Sequence, residues 1–492
     1  NKLLTSDTVK AAARGKSGAR KGSRRNLVST YYDTRQHTLR KSGAALRIRR
    51  GGKLLEQTLK LPADGPAGMQ NKQEWNVALE DDEPDLELYP RQVRRRLQRS
   101  RHALRLKPVF TTDVERYTRV LQRRGTRVEL ALDRGRILGH ASRPREQPIC
   151  EVELELLRGD PLEMLDLAIE LAESQSLQPL FQSKAMRGYM LARPALRPAR
   201  FKARDVPLDT GMSVGEAFEA IAGEALRHLQ ANQQLVLDGL PGGIHQSRVA
   251  MRRMRAALRA FKSILPYDKR KAFNGELRWF QGRLAPARDW HVFLTETLPR
   301  VARKADPELV ERLRKTALRE RRRATAEAQS LFLGRRYVRL LLQFQRWLLA
   351  LESDHGELFE RPLQPFAIAV LDKTRRDFLR DARPLSRMSE EDRHTLRKSG
   401  KKARYATEFF SGLWEGEDKN RYLKLMESLQ DQLGVANDAV VARMVLASLS
   451  PRSLDHAGLL LVQDWSRDRE VQAVRKGQPL WRKVQRAPPF WP

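Results

Sequence analysis

Cysteine is almost absent: Cys150 is the only one in 492 residues, so no disulfide can form within the chain. Folding therefore draws nothing from covalent cross-links, as expected of a protein in a reducing compartment. Long apolar runs are also lacking. No uninterrupted stretch reaches the roughly 20 residues that a membrane-crossing helix needs, and no signal-peptide pattern opens the chain. Aromatic residues make up 7%, and the most basic stretches are poor in them, which argues against a platform that stacks single-stranded bases. Acid is the other shortage. Only 60 Asp+Glu oppose 94 Lys+Arg, a formal charge of +34. Such a charge repels itself in a compact state unless a polyanion neutralises it. The excess is mostly arginine, whose forked guanidinium suits phosphate oxygens better than the point charge of lysine. The chain begins at Asn1, and the expectation is a cytoplasmic protein whose native start lies further upstream.

What is present falls into two regimes. From Leu27 to about Leu157 short runs alternate with turn signals, the pattern of strands. "ALRIRR" alternates Leu46 and Ile48 with Arg47 and Arg49, and "LEQTLKLP" sets Glu56, Thr58 and Lys60 opposite Leu55, Leu59 and Leu61. "RVELALDRG" and "CEVELELL" do the same with Glu129 and Asp133, then with Glu151, Glu153 and Glu155. A helical stretch is expected from about Pro161 to Ser174. The stretch 193–206 ("RPALRPARFKARDV") is rich in Pro and Arg and has no period, and reads as a linker. Beyond it nearly everything has helical period, as in "SVGEAFEAIAGEALRHLQ". The expected divisions are a basic, partly flexible segment 1–26, a strand-rich domain 27–192, the linker 193–206, and an all-helical domain 207–492.

The helical part repeats itself at an offset of 149. His245 then meets His394, Arg248 meets Arg397, Arg255 meets Arg404 and Phe261 meets Phe410, while Arg252 and Arg253 meet Lys401 and Lys402. A second block obeys the same shift: Gln281 with Gln430, Leu284 with Leu433, Ala287 with Ala436 and Asp289 with Asp438. Two blocks at one offset indicate a duplicated bundle, with halves of about 207–350 and 351–492. At about 100° per residue His245, Arg248, Arg252 and Arg255 fall within an arc of ~80°. "HQSRVAMRRMRAALRAF" contains no acid. A merely solvated face would intersperse Glu or Asp at i±4 to relieve repulsion. An unrelieved stripe that recurs in register points instead to a polyanion site. The paired histidines read equally as helix-start packing residues or as part of that site. Asp289 and Asp438 read as residues that cap or tie a helix.

"HQSRVAMRRMRAALRAF" and "LRKSGKKARYATEFF" resemble the conserved histidine α-helical domain (CHAD), over roughly Pro207 to the C-terminus. The resemblance implies two pseudo-symmetric four-helix bundles around a basic channel for inorganic polyphosphate. It implies phosphate contacts from His245, Arg248, Arg252, Arg253 and Arg255, and from His394, Arg397, Lys401, Lys402 and Arg404. The stretches "STYYDTRQHTLRKSGAALRIRR", "TLKLP", "QEWNVAL", "VELALDRGRI", "ICEVELELL" and "SKAMRGY" resemble the CYTH family, which includes inorganic triphosphatases. That resemblance implies an antiparallel β tunnel, giving an α+β multidomain chain. Arg47, Arg49, Lys60, Arg116 and Lys184 would hold a triphosphate, and Glu151, Glu153 and Glu155 would hold Mg²⁺ or Mn²⁺. The family's acid-rich first strand, Glu-x-Glu-x-Lys, has no counterpart ahead of "STYYDT", so the tunnel is expected to be incomplete. The expectation is a polyphosphate-binding protein first. A working metal-dependent inorganic triphosphatase acting on tripolyphosphate comes second, and weak, salt-sensitive, non-specific binding of nucleic acid third. No membrane partner is expected, and the location is the cytoplasm or polyphosphate granules within it; oligomeric state is left open.

Overall fold

The computed structural model describes residue 9 and residues 22–52, 54–62, 72–97, 105–140, 145–196, 200–351, 356–449 and 456–492. The chain divides into two compact units, Asn1–Pro198 with Leu341–Leu349, and Ala199–Leu340 with Ala350–Pro492. The segment 1–26 expected to be partly flexible lies outside the described residues except for Val9 and residues 22–26. From Ser23 onward these last residues already belong to a strand. Among the described residues no helix is long and apolar enough to cross a membrane.

The first unit is built on seven strands: β1 Ser23–Asp33, β2 Ala45–Gly51, β3 Leu54–Pro62, β4 Lys72–Ala78, β5 Lys107–Arg123, β6 Thr126–Gly139 and β7 Glu146–Arg158. They pair antiparallel in the order β4-β3-β2-β1-β5-β6-β7. The sheet curls into a half-barrel. β4 and β7 remain edges among the described strands, in line with the incomplete tunnel expected from the sequence. The long β5–β6 hairpin turns through Arg124 and Gly125, both at positive φ, as a two-residue hairpin requires. Gly135 lets β6 approach β5 closely: a Cβ there would lie 2.0 Å from the Asp113 carbonyl oxygen.

Two helices flank the sheet, α1 Pro161–Gln175 and α2 Lys184–Ala192, capped by Asp160 and Ser183. The first starts where the sequence pattern placed it. The second is fixed at its far end by Asp33, a fully buried carboxylate. Asp33 accepts the backbone N–H groups of Thr34, Leu39 and Arg40 at 2.7–3.0 Å and the Tyr189 hydroxyl at 2.9 Å. Tyr189 also packs edge-on against Phe110. This anchor sets the position of Lys184 and Arg187, which lie earlier on the same helix.

The second unit is helical, with α3 Val214–Leu237, α4 Pro241–Ala260, α5 Tyr267–Arg283, α6 Ala285–Val292, α7 Pro307–Leu333, α8 Leu363–Leu379, α9 Glu390–Phe410, α10 Glu417–Ala447 and α11 His456–Arg486. The duplication is visible in the helix starts. Val214 and Leu363, Pro241 and Glu390, and Pro307 and His456 all stand 149 positions apart. The correspondence breaks where α10 runs on continuously while its counterpart is split between α5 and α6. Pro286 in the first turn of α6 explains the split, since its ring removes a backbone donor. The equivalent residues Phe261 and Phe410 meet with ring centroids 5.6 Å apart, flanked by Phe218 and Phe366. Both halves thus contribute to one aromatic core. The end of the expected linker is not free chain. Asn232 on α3 accepts the Phe201 N–H at 3.1 Å and donates to its carbonyl at 3.0 Å, and Glu224 accepts the Arg204 N–H at 3.2 Å. Buried polar side chains of α3 replace the water that such a segment would otherwise need.

Candidate functional sites

The curl of the first unit encloses a cavity of about 1070 Å³ with two unlike walls. One wall is cationic: Arg47 and Arg49 come from β2, Lys60 from β3 and Arg116 from β5. All four were expected to hold phosphate, and strand alternation delivers them to one face. Burial, reinforced by Arg47, pulls Arg49 down to about 10, and the same two causes lower Lys60. The buried Arg47 Nε has no hydrogen-bond partner among the described residues. Within this wall Lys60 pairs with Glu74.

The other wall is acidic. Asp133 on β6 lies directly across from Glu151 on β7, and Glu153 is two residues further along. Ligand oxygens of these three carboxylates lie within 4.8 Å of one another. Arg116 donates two hydrogen bonds to Asp133 at 2.7 Å and one to Glu153 at 2.6 Å. Lys184 reaches Asp133 and Glu153 at 2.7 Å and also pairs with Glu151, which binds Arg187 as well. Burial alone would raise the Glu153 carboxyl, but Lys184 and Arg116 overcome it and hold the group at about 2. The carboxylates that come together are not the whole of the set read from the sequence. Glu155 stands outside the group and lies across from Glu129. Asp133 joins Glu151 and Glu153 in the group. Three carboxylates converging on one point suit Mg²⁺ or Mn²⁺, so the donor set fits the metal that the sequence implied.

In the second unit α4 and α9 bring their basic stripes together. Arg252 interacts electrostatically with both Arg397 and Lys401 of the other half, and with His245 of its own. Arg288 on α6 joins this group and faces Arg248 and His245. The cost of the crowding is visible in the titration of its members. Burial and then Arg397 and Arg252 bring Lys401 down to about 7. Burial and the arginines around it, Arg288 foremost, bring His245 down to about 4. Burial brings Arg248 to about 10, even with Asp289 opposing, while its guanidinium donates to the Gln281 carbonyl at 2.5 Å. The Nε atoms of Arg252 and Arg397 are buried without hydrogen-bond partners among the described residues. Asp289 and Asp438, expected to cap or tie helices, instead face Arg248 and Arg397. Burial raises both carboxyls, and each lies close enough to Arg288 to feel its charge.

A model of the CYTH domain matches residues 2–189, and a model of the CHAD domain matches residues 220–447. The chain carries a CYTH domain followed by a CHAD domain. A curated relative, the "Inorganic triphosphatase" of Haemophilus influenzae, is 32% identical over 170 residues. The match covers 34% of this chain and 46% of that protein, so this chain spans less than half of the relative's length. Among solved structures, the CHAD domain from the plant Ricinus communis is similar with a TM-score of 0.52 and 27% identity. That match covers 59% of this chain and 99% of the other.

The ten residues assigned to phosphate in the CHAD domain do not form one group. His245, Arg248, Arg252, Arg397 and Lys401 converge as described. Arg253 is committed elsewhere: it bonds Glu408 at 2.9 Å and lies over the Phe409 ring. Arg404 bonds the same carboxylate at 2.7 Å. Arg255 donates to Asn274 at 2.9 Å and Gln281 at 2.6 Å. Lys402 is exposed beside Arg259, Lys398 and Asp377, and His394 bonds Asn437. Three contributors escaped the sequence reading: Arg288, Arg187 of the CYTH domain, and Asp133 as a member of the carboxylate group. Arg288 sits within "APARD", the repeat block where Asp289 drew attention, and its counterpart in the second copy is Asn437, so charge conservation between the copies gave no signal.

The Lys401 shift has a consequence for stability. In the unfolded chain the amine keeps its proton up to its ordinary value of 10.5, whereas in the fold it loses it near 7. Between those values the unfolded state binds more protons, so stability rises with pH. The cost of the charged amine is full below pH 7 and fades above it. Measured from pH 6 to 10, the melting temperature of the ligand-free chain should therefore climb relative to that of Lys401→Met, and a pH-independent difference would contradict the assignment.

Proposed function

We propose that the CHAD domain binds inorganic polyphosphate at the group centred on Arg252. The observation that carries this reading is the meeting of Arg252 with Arg397 and Lys401. Cations from two duplicated helices converge there, with Asp289 and Asp438 as the nearby acids. A ligand that repeats its negative charge along a thin chain neutralises such a row, and guanidinium forks match its phosphoryl oxygens. Nucleic acid offers the same charge but also bases, and no aromatic side chain belongs to the group to stack them. Fluorescently labelled single-stranded DNA bound to the protein should be displaced by long-chain polyphosphate at a phosphate concentration at least tenfold below that required for the reverse displacement. Affinity should fall log-linearly with salt, as counterion release requires. Preferential retention of DNA would refute the reading.

For the CYTH domain we propose hydrolysis of the terminal phosphoryl group of a triphosphate. Arg47, Arg49, Lys60 and Arg116 supply the positive wall that holds and orients the phosphates. A divalent cation held by Asp133, Glu151 and Glu153 would polarise the phosphoryl group and activate water. Lys184 and Arg187 neutralise these carboxylates in the free protein, and Lys184 lines the cavity that a phosphate would enter. Tripolyphosphate hydrolysis with Mg²⁺ or Mn²⁺ should fall at least about tenfold in Glu153→Gln, and Mn²⁺ binding should weaken with it. Activity in Glu153→Gln equal to that of the parent would remove this residue from the site.

A further inference from the structure

The duplication relates the positions of Arg255, Arg259 and Arg278 to those of Arg404, Glu408 and Glu427. One triad is entirely cationic; its equivalent carries one cation and two acids. The second half is neutralised in place: Glu408 accepts hydrogen bonds from Arg404 at 2.7 Å and from Arg253 at 2.9 Å. At the opposite corner the counterpart of the Arg253–Glu408 ion pair is Lys402 beside Arg259, two like charges. Arg255 is held against α5 by Asn274 and Gln281, two neutral side chains. Arg278 stands between those two on the same helix, one turn beyond Asn274, and Arg259 follows Arg255 by one turn of α4. Arg259, Arg278 and Lys402 are exposed, and neither arginine forms an ion pair among the described residues. The acid that acts on Lys402 is Asp377, which already pairs with Lys373 and Arg380.

We infer that the corner formed by Arg255, Arg259, Arg278 and Lys402 is a second phosphate-binding subsite, present at one end of the pseudo-symmetric domain and lacking at the other. This inference rests on the reading of the CHAD domain as a polyphosphate binder. It gives the bound chain a direction: from the central group around Arg252 the polymer continues over this corner, because the equivalent exit carries Glu408 and Glu427. Chains long enough to reach from the centre to the corner gain contacts that short ones do not.

The test uses the second half as its own template. The double substitution Arg259→Glu with Arg278→Glu installs the acids that the other copy carries at those positions, where a folded helix pair already accommodates them. In the full chain this variant should bind long-chain polyphosphate at least about tenfold more weakly, and its log-affinity against log-salt slope should be shallower by ~1.5, the loss of two phosphate contacts. The inverse substitution, Glu408→Arg with Glu427→Arg, should tighten binding and steepen the slope. Affinity and slope unchanged in Arg259→Glu with Arg278→Glu, in a parent chain whose binding is lost with Arg252→Gln, overturns the corner and leaves the central group standing. A parent chain without affinity for polyphosphate overturns both.

Discussion

The CHAD domain is organised around a repulsion. Arg252 on α4 is pressed toward Arg397 and Lys401 on α9, with the partly buried Asp289 and Asp438 close by. Like charges this close destabilise the free protein, and their partial burial removes the water that would screen them. The aromatic core shared by Phe218, Phe261, Phe366 and Phe410 holds the two helices together despite that cost. The duplication makes the arrangement economical, since one helix design placed twice about a shared core creates a two-sided cationic group. A ligand that neutralises it releases the stored repulsion, so binding and stability are coupled through the same few side chains.

The CYTH domain solves the opposite problem. Its acidic wall of Asp133, Glu151 and Glu153 is compensated by the protein's own Arg116, Lys184 and Arg187. Breaking such a network by removing one partner is expensive. The depressed Glu153 carboxyl is the signature of that compensation. The Asp33–Tyr189 anchor matters for the same reason: it holds α2, and with it Lys184 and Arg187, at a fixed distance from the strands.

Much of this was legible in the sequence because it rests on period and repetition. Alternation along β2, β6 and β7 placed Arg47, Arg49, Asp133, Glu151 and Glu153 on one face, and the 149-residue offset aligned Arg252 with Lys401. What escaped depends on contacts between elements. Periodicity on one strand could not reveal that Glu155 steps past the carboxylate group, nor that Asp133 enters from the neighbouring strand. The arc of the α4 stripe could not show that Glu408, on another helix, claims Arg253. Arg288 was hidden because its helix is split from α5 by Pro286, and its face is set by that break rather than by a continuous pattern.

The coupling between repulsion and binding can be measured in one experiment, the thermal unfolding of the parent chain and of Arg252→Gln with and without long-chain polyphosphate. Without ligand, Arg252→Gln should melt at the same temperature as the parent or higher, because a buried, crowded cation has been removed. Polyphosphate should raise the parent's melting temperature strongly and that of Arg252→Gln little. A variant that melts lower than the parent without ligand and still gains the full stabilisation from polyphosphate would contradict the account.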